Sequence, residues 1–499
     1  MNSKNNINAD GQANDGSRSE RKSFKERLKE TRTTRWIRFG VVAALYTGWV
    51  IWMQSPIWLL GLILLFDIYI TGYIPFTWWK HSKSKTTRAV MSWVDAIVYA
   101  LVLVYFVFNF VGQNYQIPSS SLEKTLLTGD YLWVNKVTYG PRVPMTPIHF
   151  PLVHNTLPVV NTKSYLDWPS AEYRRLKGLR NVESGDIVVF NFPAGDTVST
   201  KLENSAEYYD LLVKHYGWKE VNTNKDMFGD IVYRPVDRRT NFVKRAVGLP
   251  GERIKIKGDT IYINGKKQAV PENAQFLYFA LMNRPLDEEQ CHELGIALAD
   301  VQMIPSNRPE FQYTVDAMPG TDKNGSYLYQ LPMTQQMIDR LRSERQLVSC
   351  LRWDGSAQEY YLFPSGIADA EQWTLADYGG VDGLLIPRKG MTIELTPRNW
   401  LIYQRCIRNY EGHPDAALKN GKVYIDGKPA ETYTFAMDYY FMMGDNRHMS
   451  QDSRFWGFVP EDHVVGTPVF VLVSFDPERS IFNGGLRWNR ILRDANPDK

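Results

Sequence analysis

The stretch Gln116-Ile-Pro-Ser-Ser-Ser-Leu-Glu-Lys-Thr-Leu-Leu-Thr-Gly-Asp130 decides how this chain is read. It follows directly on a long apolar run. It sets three serines behind a proline and leads through Gly129-Asp130 into an alternating strand, Tyr131 to Val137. Pro118 fixes its own φ and biases Ile117 toward an extended backbone. A serine held just past a stiff extended segment, close to a membrane exit, is a candidate nucleophile. Taken alone, the same composition also describes an ordinary loop.

Working toward the N-terminus, the chain reads as a membrane anchor. Residues 1–22 are polar, and the tail to residue 35 is basic. Three apolar runs follow, Phe39 to Met53, Ile57 to Trp79 and Ala89 to Val111, the first two forming a hairpin. Each is counted as a spanning helix, the first one short. Lys80, Lys83, Lys85 and Arg88 lie between the second and third runs, and the first hairpin loop carries no basic residue. The positive-inside rule then puts the tail and residues 80–88 in the cytoplasm and delivers Gly112 onward to the outer face.

Working toward the C-terminus, the chain reads mainly as β. Strands are expected at Asp186 to Phe192, Phe242 to Val247, Arg253 to Lys257 and Met391 to Thr396. Asn264-Gly265 and Asp426-Gly427 each sit in a short hairpin phrase as a type I′ turn. Residues 271–387 change texture, with helical character at Asp287 to Ala299 and a helix capped by Thr334. The expected fold is a mainly β catalytic region of antiparallel sheets behind three transmembrane helices, with a mixed α/β insert. The segments are 1–35 tail, 36–79 hairpin of two spans, 80–88 basic loop, 89–112 third span, 113–270 and 388–480 the β domain in two parts, 271–387 insert or lid, and 481–499 basic tail. A short helix is expected at Leu486 to Arg493.

The chain has 499 residues and a net charge of +4, too weak a bias for a nucleic-acid partner. Cys291, Cys350 and Cys406 are scattered and odd in number, so at most one bridge is expected. CxxC, HExxH and phosphate-loop spacings are lacking, and neither metal nor organic cofactor is expected.

Two further phrases carry chemistry. In Asn241-Phe-Val-Lys-Arg-Ala-Val-Gly-Leu-Pro-Gly-Glu252, strand alternation puts Lys244 on one face with Phe242 and Ala246. At its ordinary pKa of about 10.4 only roughly one lysine in 250 is neutral at pH 8, and burial between apolar neighbours lowers that pKa. A general base and an edge lysine reaching into water are both compatible with the phrase. The other is Gly444-Asp-Asn-Arg-His-Met-Ser-Gln-Asp-Ser-Arg-Phe-Trp-Gly457. This Asx-rich loop can form a hydrogen-bonded floor, with Ser450 able to hold an amine and Asp452 and Arg454 able to brace each other.

The three phrases in this order resemble bacterial type I signal peptidases, the Ser/Lys membrane proteases of family S26. Pro118-Ser-Ser-Ser-Leu122 with Gly129-Asp130 resembles the nucleophile box, and Asn135-Lys-Val-Thr-Tyr-Gly140 and Gly185-Asp-Ile-Val-Val-Phe190 continue the match. Lys244 to Gly251 resembles the general-base box, and Gly444 to Arg454 the Gly-Asp-Asn-Arg…Asp-Ser-Arg box. The resemblance implies Ser121 as nucleophile and Lys244 as base. It implies Ser119 in the oxyanion hole, Ser450 orienting the lysine, and Asp452, Arg454, Asp445 and Arg447 as structural support. Groups expected to line the substrate cleft are Tyr115, Gln116, Ile117, Pro118, Leu122, Leu126, Phe242 and Val243. The implied substrates are preproteins carrying signal peptides, cut after small residues of A-x-A type. Membrane lipid and a Sec-type export machinery are the implied partners, and the outer face of the bacterial inner membrane the location. Ser120 stands where the family has glycine and is a second candidate nucleophile. His448 is a rival base, and a tethered binding module that does not cut is a rival to the enzyme.

Overall fold

The computed structural model describes residues 28, 31–158, 160, 162–202, 209–320, 324–355, 362–367 and 370–497. The basic N-terminal tail expected at residues 1–35 falls largely outside them. The chain forms two compact units, one up to Ala100 and one from Leu101 onward.

In the first unit, helix α1 (Thr33–Met53) ends where Gln54 turns left-handed at φ 50° ahead of Pro56. The second apolar run does not form one spanning helix. It is a chain of short turns, 3₁₀ at Pro56–Leu60, α at Gly61–Phe66 and π at Asp67–Thr71. The reason is the buried Asp67. Its carboxylate accepts the Thr71 hydroxyl and the amides of Tyr73 (2.6 Å) and Ile74 (3.0 Å), which closes the helix, and Gly72 turns the chain at φ 53°. Among the described residues two helices, not three, are long and apolar enough to cross a membrane: Thr33–Met53 and Lys85–Val111.

Helix α2 (Lys85–Phe106) continues through a π turn at Val107–Val111 directly into strand β1 (Gly112–Gln116). The strands after it build an antiparallel seven-stranded sheet. They are β2 (Asp130–Asn135), β3 (Ile187–Asn191), β4 (Asn241–Gly248), β5 (Tyr439–Met443), β6 (Val459–Pro460) and β7 (Val464–Ser474), in the order β1-β2-β7-β3-β4-β5-β6. The near-continuous apolar run of β3 is explained by burial on both faces: every residue from Ile187 to Asn191 is buried. One side packs with Phe190, Phe192, Ala246 and Met442, the other with Ile117, Leu122, Leu126 and Val471.

Among the described residues, two of the open strand edges matter for the site. Strand β1 is paired only with β2. Strand β4 is paired with β3 from Asn241 to Arg245, but β5 covers its other side only from Arg245 to Gly248. The main chain of Asn241–Lys244 is therefore unpaired on that side.

Both hairpin phrases form as expected, with Asn264, Gly265, Asp426 and Gly427 all at positive φ. Leu249–Glu252 closes a turn through Glu252 N–H to Leu249 C=O (3.1 Å) with Gly251 at φ 86°. Within the insert, Gln302–Ile304, Tyr327–Met333, Phe276–Met282 and Leu347–Arg352 form a four-stranded sheet in that order. Helix α3 (Glu288–Leu294) and the Thr334-capped helix Gln335–Ser343 pack on it, the latter through Met337, Ile338 and Leu341. Leu384–Leu385 returns to the hairpin layer, pairing with Ile254 and Arg253. The expected helix at Leu486 to Arg493 is only a 3₁₀ turn, Trp488–Arg490. Arg490 is buried there and donates to Asp130 (3.0 and 2.5 Å), so it serves the interior. All three cysteines are free thiols.

Candidate active site

The loop after β1 brings Ser121 inward because the chain has no freedom to do otherwise. Pro118 ends the extended segment, and Ser120–Leu122 form a 3₁₀ turn. Leu122 and Leu126 then plug the core below it, at 1 % and 0 % exposure. Sequence reasoning places these two leucines in the substrate cleft. They anchor the loop instead, buried in one core cluster with Ile117, Leu132 and Val471.

Strand β4 presents Lys244 from the opposite wall. Its Nζ donates to Ser121 Oγ at 2.7 Å, and the two side chains are 3 % and 8 % exposed. The aliphatic stem runs beside Phe242, whose ring lies 5.6 Å from Nζ and is itself stacked on Phe192. Burial disfavours the ammonium and holds the Lys244 amine down at about 8, and the Asp452 and Asp445 carboxylates oppose this only in part. An amine in that range, bonded to a hydroxyl, can take its proton near neutral pH.

The third phrase forms the floor. Asp452 receives Arg454 Nε (2.9 Å) and a terminal nitrogen (2.8 Å), both residues fully buried, and it accepts Gly444 N–H (3.2 Å). Gly444 is required by space: a Cβ there would lie 2.5 Å from the Ser121 carbonyl oxygen and 2.2 Å from Ser450 Oγ. Asn446 donates its N–H to Ser121 C=O (3.1 Å) and its amide to Ser120 C=O (3.3 Å). Asp445 is gripped by Arg245 through two bonds of 2.8 Å and accepts the Thr125 hydroxyl (2.9 Å), which pins the Ser121 loop to the floor. Arg447 is buried, its N–H bonded to Gln275 C=O and its carbonyl taking Arg454. Ser119 is exposed, its hydroxyl 3.5 Å from Ser121 Oγ. Ser450 is buried, and its hydroxyl donates to Gln451 C=O (3.4 Å) instead of to Lys244.

His448 is committed elsewhere. Its Nδ1 accepts Leu277 N–H (3.2 Å), which fixes the proton on Nε2, and Nε2 donates to Asp259 (2.7 Å). Neither ring nitrogen is left for a serine. The Ser120 hydroxyl bonds to the Asp300 carboxylate, whereas the Lys244 amine bonds to Ser121.

A cleft of about 400 Å³ opens at the Ser121–Lys244 pair. Tyr115, Gln116, Ile117, Pro118, Phe242 and Val243 line it, together with Leu132, Val189, Phe192 and Met449. The latter four were not anticipated, nor were Thr125, Arg245, Asn446 and Gln275. Arg245 had a readable sign: it alternates with Lys244 on β4, so one of two adjacent cations had to find an inward partner. Gln275 had none, because its contact joins segments remote in sequence.

The family model described as signal peptidase, peptidase S26, matches residues 90–278 and 414–473. Those bounds omit most of the insert and include all three chemical phrases. Signal peptidase I of Buchnera aphidicola subsp. Baizongia pistaciae is 21 % identical over 458 residues, 91 % of this chain and 96 % of the relative. The protein of that name from Buchnera aphidicola subsp. Acyrthosiphon pisum is 23 % identical over 83 % of this chain and 84 % of its own. That from Haemophilus influenzae is 21 % identical over 83 % and 78 %.

Proposed function

We propose that this chain, which belongs to the peptidase S26 family of signal peptidases and is a hydrolase, removes N-terminal signal peptides from exported preproteins with a Ser121–Lys244 dyad. The observation that carries the dyad is the 2.7 Å contact between a buried amine and a buried hydroxyl.

The cleavage segment binds as an added strand between the open edges of β1 and Asn241–Lys244, where unpaired main-chain groups await partners. Ile117, Phe192, Phe242 and Val243 crowd the cleft beneath it. Their bulk leaves room for small side chains at the residue before the cut and at the one two before that, the A-x-A pattern. Lys244 takes the Ser121 proton as Oγ attacks the scissile carbonyl. The Ser119 hydroxyl and the Ser121 N–H receive the developing oxyanion, the Ser119 hydroxyl turning toward it. The resulting ammonium protonates the leaving amine, and the lysine then activates the water that frees the acyl group. Gly444, Asp445 and Asn446 keep the loop rigid through these steps, with Asp452 and Arg454 holding Gly444 in turn.

The enzyme works from the membrane. Helix α2 runs straight into β1, so the cleft opens a few residues beyond a helix long enough to span. Ile148, Phe150, Leu152 and Trp168 are exposed on the loop whose Pro147 carbonyl accepts the Tyr105 hydroxyl of that helix (2.8 Å). An apolar fringe at the foot of a spanning helix fits a bilayer surface. Export through a Sec-type machinery, and the outer face of the inner membrane, follow from such substrates. Purified full-length chain in detergent should cut a preprotein bearing A-x-A and leave uncut one bearing a large residue before the cut. Intact preprotein after incubation with the unaltered chain would refute the reading.

A further inference from the structure

We propose that His292, Asp476 and Glu478 bind a single zinc ion that clamps the insert to the segment after β7, behind the nucleophile loop. Among the described residues, these three bring one ligand atom each to within 4.8 Å of one another. They come from separate parts of the chain. His292 stands in the last turn of α3, and the two acids follow β7.

The distances are those of ligands, not of partners. His292 Nδ1 lies 3.8 Å from Glu478 Oε2 and 4.0 Å from Asp476 Oδ2, too far for hydrogen bonds. Zinc holds nitrogen and oxygen at about 2.0–2.2 Å, so tetrahedral ligands sit roughly 3.4 Å apart. A contraction of about half an ångström brings the imidazole to that spacing from each carboxylate. Each carboxylate is already oriented by its other oxygen: Glu478 Oε1 accepts Leu298 N–H (2.8 Å) and Asp476 Oδ1 accepts Glu478 N–H (3.0 Å). Such outer bonds preset a ligand's direction. One imidazole with two carboxylates suits zinc better than calcium, which takes oxygen alone. The set leaves a fourth position for water. Arg487, 3.1 Å from Asp476 Oδ2, is the competing cation and must yield part of that oxygen.

A second observation points into the same cavity. Glu123 lines it together with the three residues and with Ser119 and Ser120. Its side chain is buried, at 7 % exposure, and Oε2 has no hydrogen-bond partner. A buried acceptor without a donor is costly, and the water shell of a cation in this cavity supplies the donor.

The position gives the ion a purpose. Lys124, next to Glu123 and at φ 73°, donates Nζ to the carbonyls of Leu294 and Gly295 at the end of α3. The nucleophile loop thus already leans on the helix that carries His292. Zinc would fix that helix to the sheet end and so steady the loop.

The test uses the full chain in detergent, stripped with chelator, titrated with zinc against a chromophoric competitor and, in parallel, with cobalt(II). One equivalent bound with submicromolar affinity is expected, with a visible cobalt spectrum and a rise in melting temperature. His292→Ala and Glu478→Gln should each weaken binding at least 30-fold and abolish the melting shift, while melting as the unaltered protein does without metal. His413→Ala, far from the cavity, should bind as before. Absence of a one-equivalent site, or binding that survives both substitutions, would overturn the proposal.

Discussion

Lys244 is a cation whose surroundings want it neutral. The folded protein holds its amine near 8, against about 10.4 in an unfolded chain. Below pH 8 both states are protonated and folding bears the full penalty of burying the charge. Between about 8 and 10.4 the unfolded chain binds more protons, so stability rises with pH across that window. Lys244→Met should therefore raise stability at pH 7, by up to about 3 kcal/mol, with the gain fading near pH 10.5; melting curves at the two pH values check it. In the same variant peptide cleavage should fall by at least about 10³-fold. For the unaltered enzyme kcat/KM should climb with pH to a plateau above about 8. A flat profile between pH 6 and 9 would show that another group takes the proton. Under the proposed mechanism, in which its hydroxyl serves the transition state, Ser119→Ala should cost about 100-fold in kcat with KM little changed.

At the scale of elements, the site is a loop clamped between a strand and a floor. Gly444→Ala puts a methyl group against the Ser121 carbonyl, a backbone atom that cannot step aside. The loop must shift, so cleavage should drop at least tenfold while the melting temperature falls by an amount matching about 1–3 kcal/mol. An unimpaired G444A enzyme would mean that the loop tolerates movement. Much of this level could be read in advance. The alternation around Lys244, the Asn-Gly and Asp-Gly turns and the Thr334 cap are local, and local rules place them. Leu122 and Leu126 misled because apolar residues beside a nucleophile serve equally as wall or as anchor, and only the direction of the turn decides. Asp67 misled for a related reason: apolar length says span, but one carboxylate placed to accept two amides and a hydroxyl ends the helix. The Arg245–Asp445–Thr125 cluster joins three remote segments, and periodicity carries no information about such meetings.

At the scale of the whole molecule, the mixed insert is built into the catalytic frame. Its first strand is anchored by Gln275, which donates to Asp445 C=O (2.9 Å) and accepts Arg447 N–H (2.8 Å), and His448 reaches Leu277. Deleting residues 275–353 should therefore lower cleavage of even a short peptide substrate, since the floor loses its outer bonds. Activity equal to that of the complete chain would make the insert an independent appendage. Arg490 acts at the same scale from the other direction. It is buried against Asp130, 360 positions earlier, at the point where the nucleophile loop enters β2. Asp130→Asn strands that guanidinium without its counter-charge and should cost about 3–5 kcal/mol, read as an earlier melting transition.

That long reach has a consequence in time. The serine leaves the ribosome long before the arginine that steadies its loop, whose partner Asp130 lies 360 positions ahead of it. Chains stalled before residue 490 should hold a serine and a lysine yet stay catalytically silent. Proteolysis would then begin only once Arg490 has been made and has folded onto Asp130.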